Sequence, residues 1–223
     1  MTGSGAHEKA LRACGAFARA ARLAKSATFS QDSPLPPAPD HRRRIEGFAF
    51  LAAFAACVPT ANWLIGHVGT VCVPHGPCLI PVAPGLTAPS GVLMVGLALV
   101  LRDLVQRRLG VLWGAGAILI GAALSATFAA PSLVLASTAA FMISEFADMA
   151  VYTPLQRRGL VLAAAASSAV GLLADSVAFL WLAFGSLDFL AGQVVGKGWM
   201  VLLALPALKW LRDRDARLGL APA

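Results

Sequence analysis

The sequence predicts an all-α integral membrane protein, a bundle of six transmembrane helices with both termini in the cytoplasm. Three observations carry that expectation. Hydrophobic residues make up 58% of the 223 and charged residues only 13%, where a soluble domain carries roughly a quarter charged, and mean hydropathy is +0.73. Six apolar stretches follow one another beyond residue 45. Lys and Arg gather in alternate connections between them, as the positive-inside rule demands. The net charge of +7 is scattered over span ends, so it reads as a topology determinant and not as a nucleic-acid footprint.

Residues 1–44 differ from the rest. Arg12, Arg19, Arg22 and Lys25 are followed by SPLPPAPD and then HRRR. This reads as a basic, Pro-rich, disordered cytoplasmic tail. Residues 8–25 have a weaker alternative as a basic amphipathic helix on the membrane surface, and no apolar core of a signal peptide is present there. A transmembrane unit is expected over 45–212, with a short cytoplasmic tail at 213–223. The spans fall at about Phe48–Gly66, Ala88–Val105, Gly110–Ala129, Ser132–Tyr152, Leu160–Phe184 and Phe189–Leu208, each near the length that crosses a hydrocarbon core at about 1.5 Å per residue.

The first span, FAFLAAFAACVPTANWLIG, has no charge. The second is short and is led in by VCVPHGPCLIPVAPGLTAP, read as an outer loop or a partly re-entrant segment. The tail, an Arg102–Arg108 loop, Arg157 with Arg158, and Lys209–Arg217 hold every Lys and Arg but Lys197, whereas 67–87, 129–131 and 185–188 hold none. Gly110-x-x-x-Gly114 and Gly192-x-x-x-Gly196 suit close helix approach. His67, Cys72, His75 and Cys78 have a spacing too loose to argue for a metal. A Cys72–Cys78 disulfide or two free thiols suit an oxidising exterior better.

The informative residues are polar ones inside the spans. Lys197 lies near the middle of FLAGQVVGKGWMVLLALPAL with Gln193 one turn earlier. A lysine at that depth costs on the order of 3 kcal/mol and so faces a bundle interior. Asp175 and Lys197 fall at matched depths, roughly 13 and 12 Å below the outer end of their spans, where each can neutralise the other. Asn62 and Gln193 sit nearer the outer rim, and Ser168 shares a face with Asp175. Asp103, Glu145 and Asp148 form a second tier roughly 20 to 24 Å down. Glu145, Asp148 and Tyr152 lie on one stripe of the fourth span. Bland roles compete: Asp103 abuts Arg102 as an interfacial ion pair would, Asp148 is close to the solvated edge, and membrane amides often only bridge helices.

Catalysis is the weaker class. Gly196-Lys197 resembles the end of a phosphate loop, but residue 191 is Ala and residue 198 is Gly, so that motif fails. The serines have no base at a recognisable spacing and HExxH is absent. No enzyme, cofactor or resident metal is expected.

The stretches APSGVLMVGLALVLRDLVQRRLG, FMISEFADMAVYTPLQRRG, SSAVGLLADSVAFLWLAFG and GQVVGKGWM resemble the VUT family, also called the queuosine precursor transporters, over about residues 46–212. The family pattern is an acidic residue closing the second span, Ser-(Gln or Glu)-x-x-Asp in the fourth, Asp-Ser or Asp-Thr in the fifth and Gln-x-x-x-Lys in the sixth. It falls on Asp103, Ser144, Glu145, Asp148, Ser168, Asp175, Gln193 and Lys197. Glu145 stands where the family favours Gln, the loop around Cys72 and Cys78 is longer, and the basic tail is extra.

The resemblance implies a six-span inner-membrane importer of 7-cyano-7-deazaguanine and 7-aminomethyl-7-deazaguanine for tRNA modification. Asn62, Glu145, Asp175, Gln193 and Lys197 are the expected substrate-binding residues, with Asp103, Ser144, Asp148 and Ser168 lining the pathway or supporting it. A carboxylate of Asp175 or Glu145 suits the adjacent N–H and amino groups of a deazaguanine, while Gln193 and Lys197 suit its carbonyl. Phe146, Phe179, Trp63 and Trp199 are candidate faces for its ring. The expected partners are that solute and the bilayer, with a homodimer or an accessory transport subunit left open. Two other classes stand beside this one: a cation- or proton-coupled carrier of another small solute using the four carboxylates, and the substrate-binding membrane subunit of a larger importer. Lys197 argues against a cation site.

Overall fold

The computed structural model describes residues 41–72 and 77–218. The basic tail, with the helix weighed at 8–25, and His75 lie outside the described residues. Helix α1 (His41–His67) leads into a small sheet of β1 (Val71–Cys72), β2 (Cys78–Ala83) and β3 (Leu86–Pro89). Then follow α2 (Val92–Leu109), α3 (Val111–Phe128), a 3-10 turn at Pro131–Leu133, α4 (Val134–Leu155), α5 (Leu160–Phe184) and α6 (Leu190–Leu218).

Five of these helices are long and apolar enough to cross a membrane: α1, α3, α4, α5 and α6. Helix α2 differs because Arg102, Asp103, Arg107 and Arg108 lie within its 18 residues. Yet α2 packs against all five other helices, and all four charged side chains are buried. Among the described helices, the one not apolar enough to count as a span is therefore the axis of the bundle. Large apolar side chains point the other way, with Leu112 85% and Leu135 81% exposed. A polar inside and an apolar outside suit a hydrocarbon surround.

Local chemistry sets the ends of the elements. Gly110, at φ 97°, is the single residue between α2 and α3, a conformation that costs a side-chain-bearing residue far more than Gly. Gly185 closes α5 in the left-handed region, its N–H donating to the Trp181 carbonyl at 3.0 Å, a common helix stop.

Three expectations need correction. The Pro-rich lead-in is a three-stranded antiparallel sheet in the order β1-β2-β3, so the chain is not wholly α. Pro81 fits β2 because the ladder slips between Pro81 and Ala83, where a missing N–H is tolerated. The Arg102–Arg108 segment is helical rather than a loop, since its charges find partners inside the bundle. Helix α6 runs on to Leu218, ten residues past the expected span end at Leu208, so residues 213–218 are helical. A Cys72–Cys78 disulfide joins β1 to β2. The sheet rests on α6: Trp199 Nε1 donates to the Val82 carbonyl at 2.9 Å, and the Thr87 carbonyl packs against Gly192.

Candidate functional site

Polar side chains occupy three levels along α2, marked by Gly96, Arg102 and Arg108. Six residues separate successive levels, about 9 Å at 1.5 Å per residue.

The level nearest the sheet centres on Lys197, which is 1% exposed. Its Nζ donates to Asp175 Oδ2 at 2.5 Å, Gln193 Oε1 at 2.6 Å and Ser176 Oγ at 2.8 Å, which uses all three ammonium donors. Gln193 and Lys197 are one turn apart on α6, while Asp175 and Ser176 are adjacent on α5. Ser176 accepts from Lys197 and passes its own proton to the Leu172 carbonyl at 2.7 Å. Ser144 on α4 reaches Asp175 Oδ1 at 3.5 Å. Gly96 lets α2 approach closely, since a Cβ there would stand 2.5 Å from the Lys197 carbonyl oxygen.

The middle level centres on Arg102, which is fully buried. Its Nε donates to Glu145 Oε2 at 3.2 Å and its Nη1 to Gln106 Oε1 at 2.9 Å. Its Nη2 donates to Asp148 Oδ1 and lies 3.0 Å from Asp103 Oδ1. Ser167 donates to Asp103 Oδ2 at 2.8 Å, and Gln106 passes the network to Thr153 at 3.0 Å. The guanidinium also lies 5.8 Å from the centre of the Tyr152 ring. The planar fork of arginine is what allows one side chain to serve acceptors on two helices at once.

The third level closes the opposite end. Arg108 pairs with Asp215 at 2.8 Å and Glu46 at 3.0 Å, Arg107 pairs with Asp215 at 3.1 Å, and Arg214 pairs with Glu46 at 2.7 Å. Helices α1, α2 and α6 are tied together there.

The expected site residues divide between these levels. Asp175, Gln193, Lys197 and Ser144 come together at the first. Glu145, Asp148 and Asp103 come together at the second. Ser168 is buried with no hydrogen bond to its Oγ. Asn62 is not brought to either; its Nδ2 donates back to the Val58 carbonyl at 2.9 Å on its own helix. Of the candidate ring faces, Trp63, Trp199 and Phe146 are exposed on the outside of the bundle, and Phe179 packs edge-on against Phe184 at 5.9 Å. Ser176 and Arg102 were not among the expected residues. Ser176 was within reach as the second half of the Asp175-Ser176 dipeptide, and Arg102 as the counter-charge that three inner acids require.

A helical bundle with an apolar exterior and layered ion pairs inside is a membrane protein built around a buried polar core. The chain belongs to the family described as "Putative vitamin uptake transporter", which matches residues 91–211; this is the VUT family that its motifs resemble. The match takes in the first two levels entirely, while Glu46, Arg214 and Asp215 of the third lie outside it. No curated protein and no solved structure matches the chain. It is thus a multi-pass membrane protein of an uptake-transporter family, which points to transport rather than catalysis.

Proposed function

We propose that the chain imports the queuosine precursors 7-cyano-7-deazaguanine and 7-aminomethyl-7-deazaguanine through the cell inner membrane for tRNA modification. In this reading residues 45–212 form the transporter unit. All six helices cross the bilayer, both termini are cytoplasmic, and the sheet faces outward. The end holding Arg107, Arg108 and Arg214 then faces the cytoplasm, in keeping with the positive-inside rule.

The observation that carries the proposal is the buried Lys197–Asp175–Gln193 cluster. Its groups offer what a deazaguanine edge needs, and at present they satisfy one another. An entering base exchanges those hydrogen bonds for its own instead of creating new buried ones: its N–H and amino groups take Asp175, and its carbonyl takes Lys197 or Gln193. Glu145, one residue beyond Ser144, and the acids around Arg102 lie along the route onward.

The test is queuosine in tRNA from cells that neither make nor import these precursors, given this gene and fed low concentrations of 7-cyano-7-deazaguanine. Queuosine restored by the wild type and lost with Lys197→Ala at equal expression supports the reading. No restoration by folded, membrane-inserted protein refutes the substrate, and uptake unchanged in both Asp175→Asn and Lys197→Ala refutes the site.

A further inference from the structure

The middle level carries more charge than its own members neutralise. Arg102 supplies one positive charge against three carboxylates, Asp103, Glu145 and Asp148, and all four residues are at most 2% exposed. The sheet-side level, by contrast, balances Lys197 against Asp175. An uncompensated carboxylate in a hydrocarbon-flanked interior is strongly disfavoured and takes up a counter-ion or a proton.

Three buried oxygens around Arg102 show where that counter-charge belongs. Asp148 Oδ2 and the Tyr152 hydroxyl have no hydrogen-bond partner, and Asp103 Oδ1 has only its ion-pair contact with Arg102. Asp103 Oδ1 and Asp148 Oδ1 both meet the same Arg102 Nη2, so the two carboxylates stand side by side, and one proton held between them would give a donor to a cluster in which Asp148 Oδ2 has none. Tyr152 sits one turn beyond Asp148 on α4, with its ring against Arg102. A metal ion is a poor occupant: the guanidinium already fills the space between the acids, and no group of three His, Cys, Asp or Glu suited to a metal occurs among the described residues.

We propose that this level is a proton-carrying site, in which Asp103 and Asp148 share one proton beside the Tyr152 hydroxyl, and that this proton crosses the membrane with the imported solute. The second half rests on the import reading above. The charged group facing the acidic pair is Arg102 from α2, with Glu145 and Tyr152 from α4 against the same guanidinium, while Arg107 of α2 turns to Asp215. Beyond them lie Asp175 from α5, Lys197 from α6 and Cys57 from α1; α3 has no charged residue. The step is a simple transfer: an O–H bond forms on a carboxylate while the site is open to the outside and breaks when it opens inward, with release to water and no redox change. The link to the solute is the neighbouring pair Ser144 and Glu145, the first 3.5 Å from Asp175 while also reaching the Phe141 carbonyl at 2.9 Å, and the second bonded to Arg102. A solute that takes Asp175 therefore acts on the residue next to the proton site.

Two measurements test this. Infrared spectroscopy of the purified protein at neutral pH should show a protonated-carboxyl band that persists in Asp175→Asn and is lost in Asp103→Asn and in Asp148→Asn. No such band in the wild type, or one that survives both latter variants, overturns the proton site, and the wild-type spectrum alone decides it if those variants fail to fold. In vesicles containing the wild-type protein and a trapped pH dye, 7-cyano-7-deazaguanine should carry acid inward, and an inward proton gradient at zero potential should accumulate it about tenfold per pH unit. Uptake indifferent to the proton gradient, or driven equally by sodium, overturns the coupling. An absence of any uptake refutes the substrate reading instead, and leaves the infrared result to decide whether the proton is there.

Discussion

Replacing Lys197 by Met keeps the bulk of the side chain and deletes its charge. Asp175 is then left with Ser144 at 3.5 Å, whose one proton also has the Phe141 carbonyl at 2.9 Å, and Gln193 and Ser176 each lose an ammonium contact of 2.6 and 2.8 Å. Removing one partner of a buried pair costs about 3–5 kcal/mol, because the other charge stays buried without compensation. Asp175→Asn strands the ammonium in the same way, somewhat less severely because the amide oxygen still accepts. The double variant Lys197→Met/Asp175→Asn strands neither charge. Its loss should fall short of the sum of the two single losses by about 2 kcal/mol. That exceeds the roughly 0.6 kcal/mol typical of an interhelical hydrogen bond in a membrane. The assay is reversible unfolding of the four proteins in mixed detergent micelles, with import measured in parallel. Losses that add to within about 0.5 kcal/mol would refute the view that these two residues form one unit.

Arg102→Lys should destabilise the protein by about 3 kcal/mol in the same unfolding assay, because an ammonium cannot span Glu145, Asp148 and Gln106 as the planar fork does; an effect below about 0.5 kcal/mol would contradict the hub assigned to Arg102. Gly96→Leu should cost about 1–3 kcal/mol and abolish import by driving α2 away from the Lys197 backbone, whereas Gly116→Ala, with no atom within 4 Å of the added Cβ, should change little. Asp215→Asn withdraws the charge shared by Arg107 and Arg108 and should cost about 2–4 kcal/mol, with faster proteolysis of the α6 end as the simplest readout.

How much of this was legible beforehand depended on the physics behind each signal. Apolar length identifies a membrane helix because the bilayer demands it, and the fifth expected span, Leu160–Phe184, is α5 to the residue. Matched depth brought Asp175 and Lys197 together before any coordinates did. Arg102 escaped because hydropathy treats a charge near a span end as solvated, and RDLVQRR reads as a basic stop. The better signal was the tally of charge, since three acids at one depth with no cation among them cannot be the whole of a buried cluster. The sheet escaped because Pro74, Pro77, Pro81, Pro84 and Pro89 read as loop, although an edge and a slipped register can hold a proline. Asn62 misled through position alone: depth along a helix is easily counted, but facing depends on which neighbours pack there.

The spacing on α2 explains why a helix with four charged residues among 18 lies at the centre. Six residues advance an α-helix by about 9 Å and turn it by about 240°. Gly96, Arg102 and Arg108 therefore face three different directions. Gly96 meets α6, Arg102 meets α4, and Arg108 meets α1 and the far end of α6. A helix with such obligations has no face to give to lipid, since each unmet charge would enter hydrocarbon. It must be surrounded, and its neighbours must carry complementary groups at the right depth. The same arrangement constrains movement. Sliding or rotating α2 as a rigid body disturbs all three levels together, so passage through the bundle requires α4, α5 and α6 to yield at one level while the others hold. On the import reading proposed above, the level that yields is the one where an incoming group can replace what is lost, the cluster of Lys197 and Asp175.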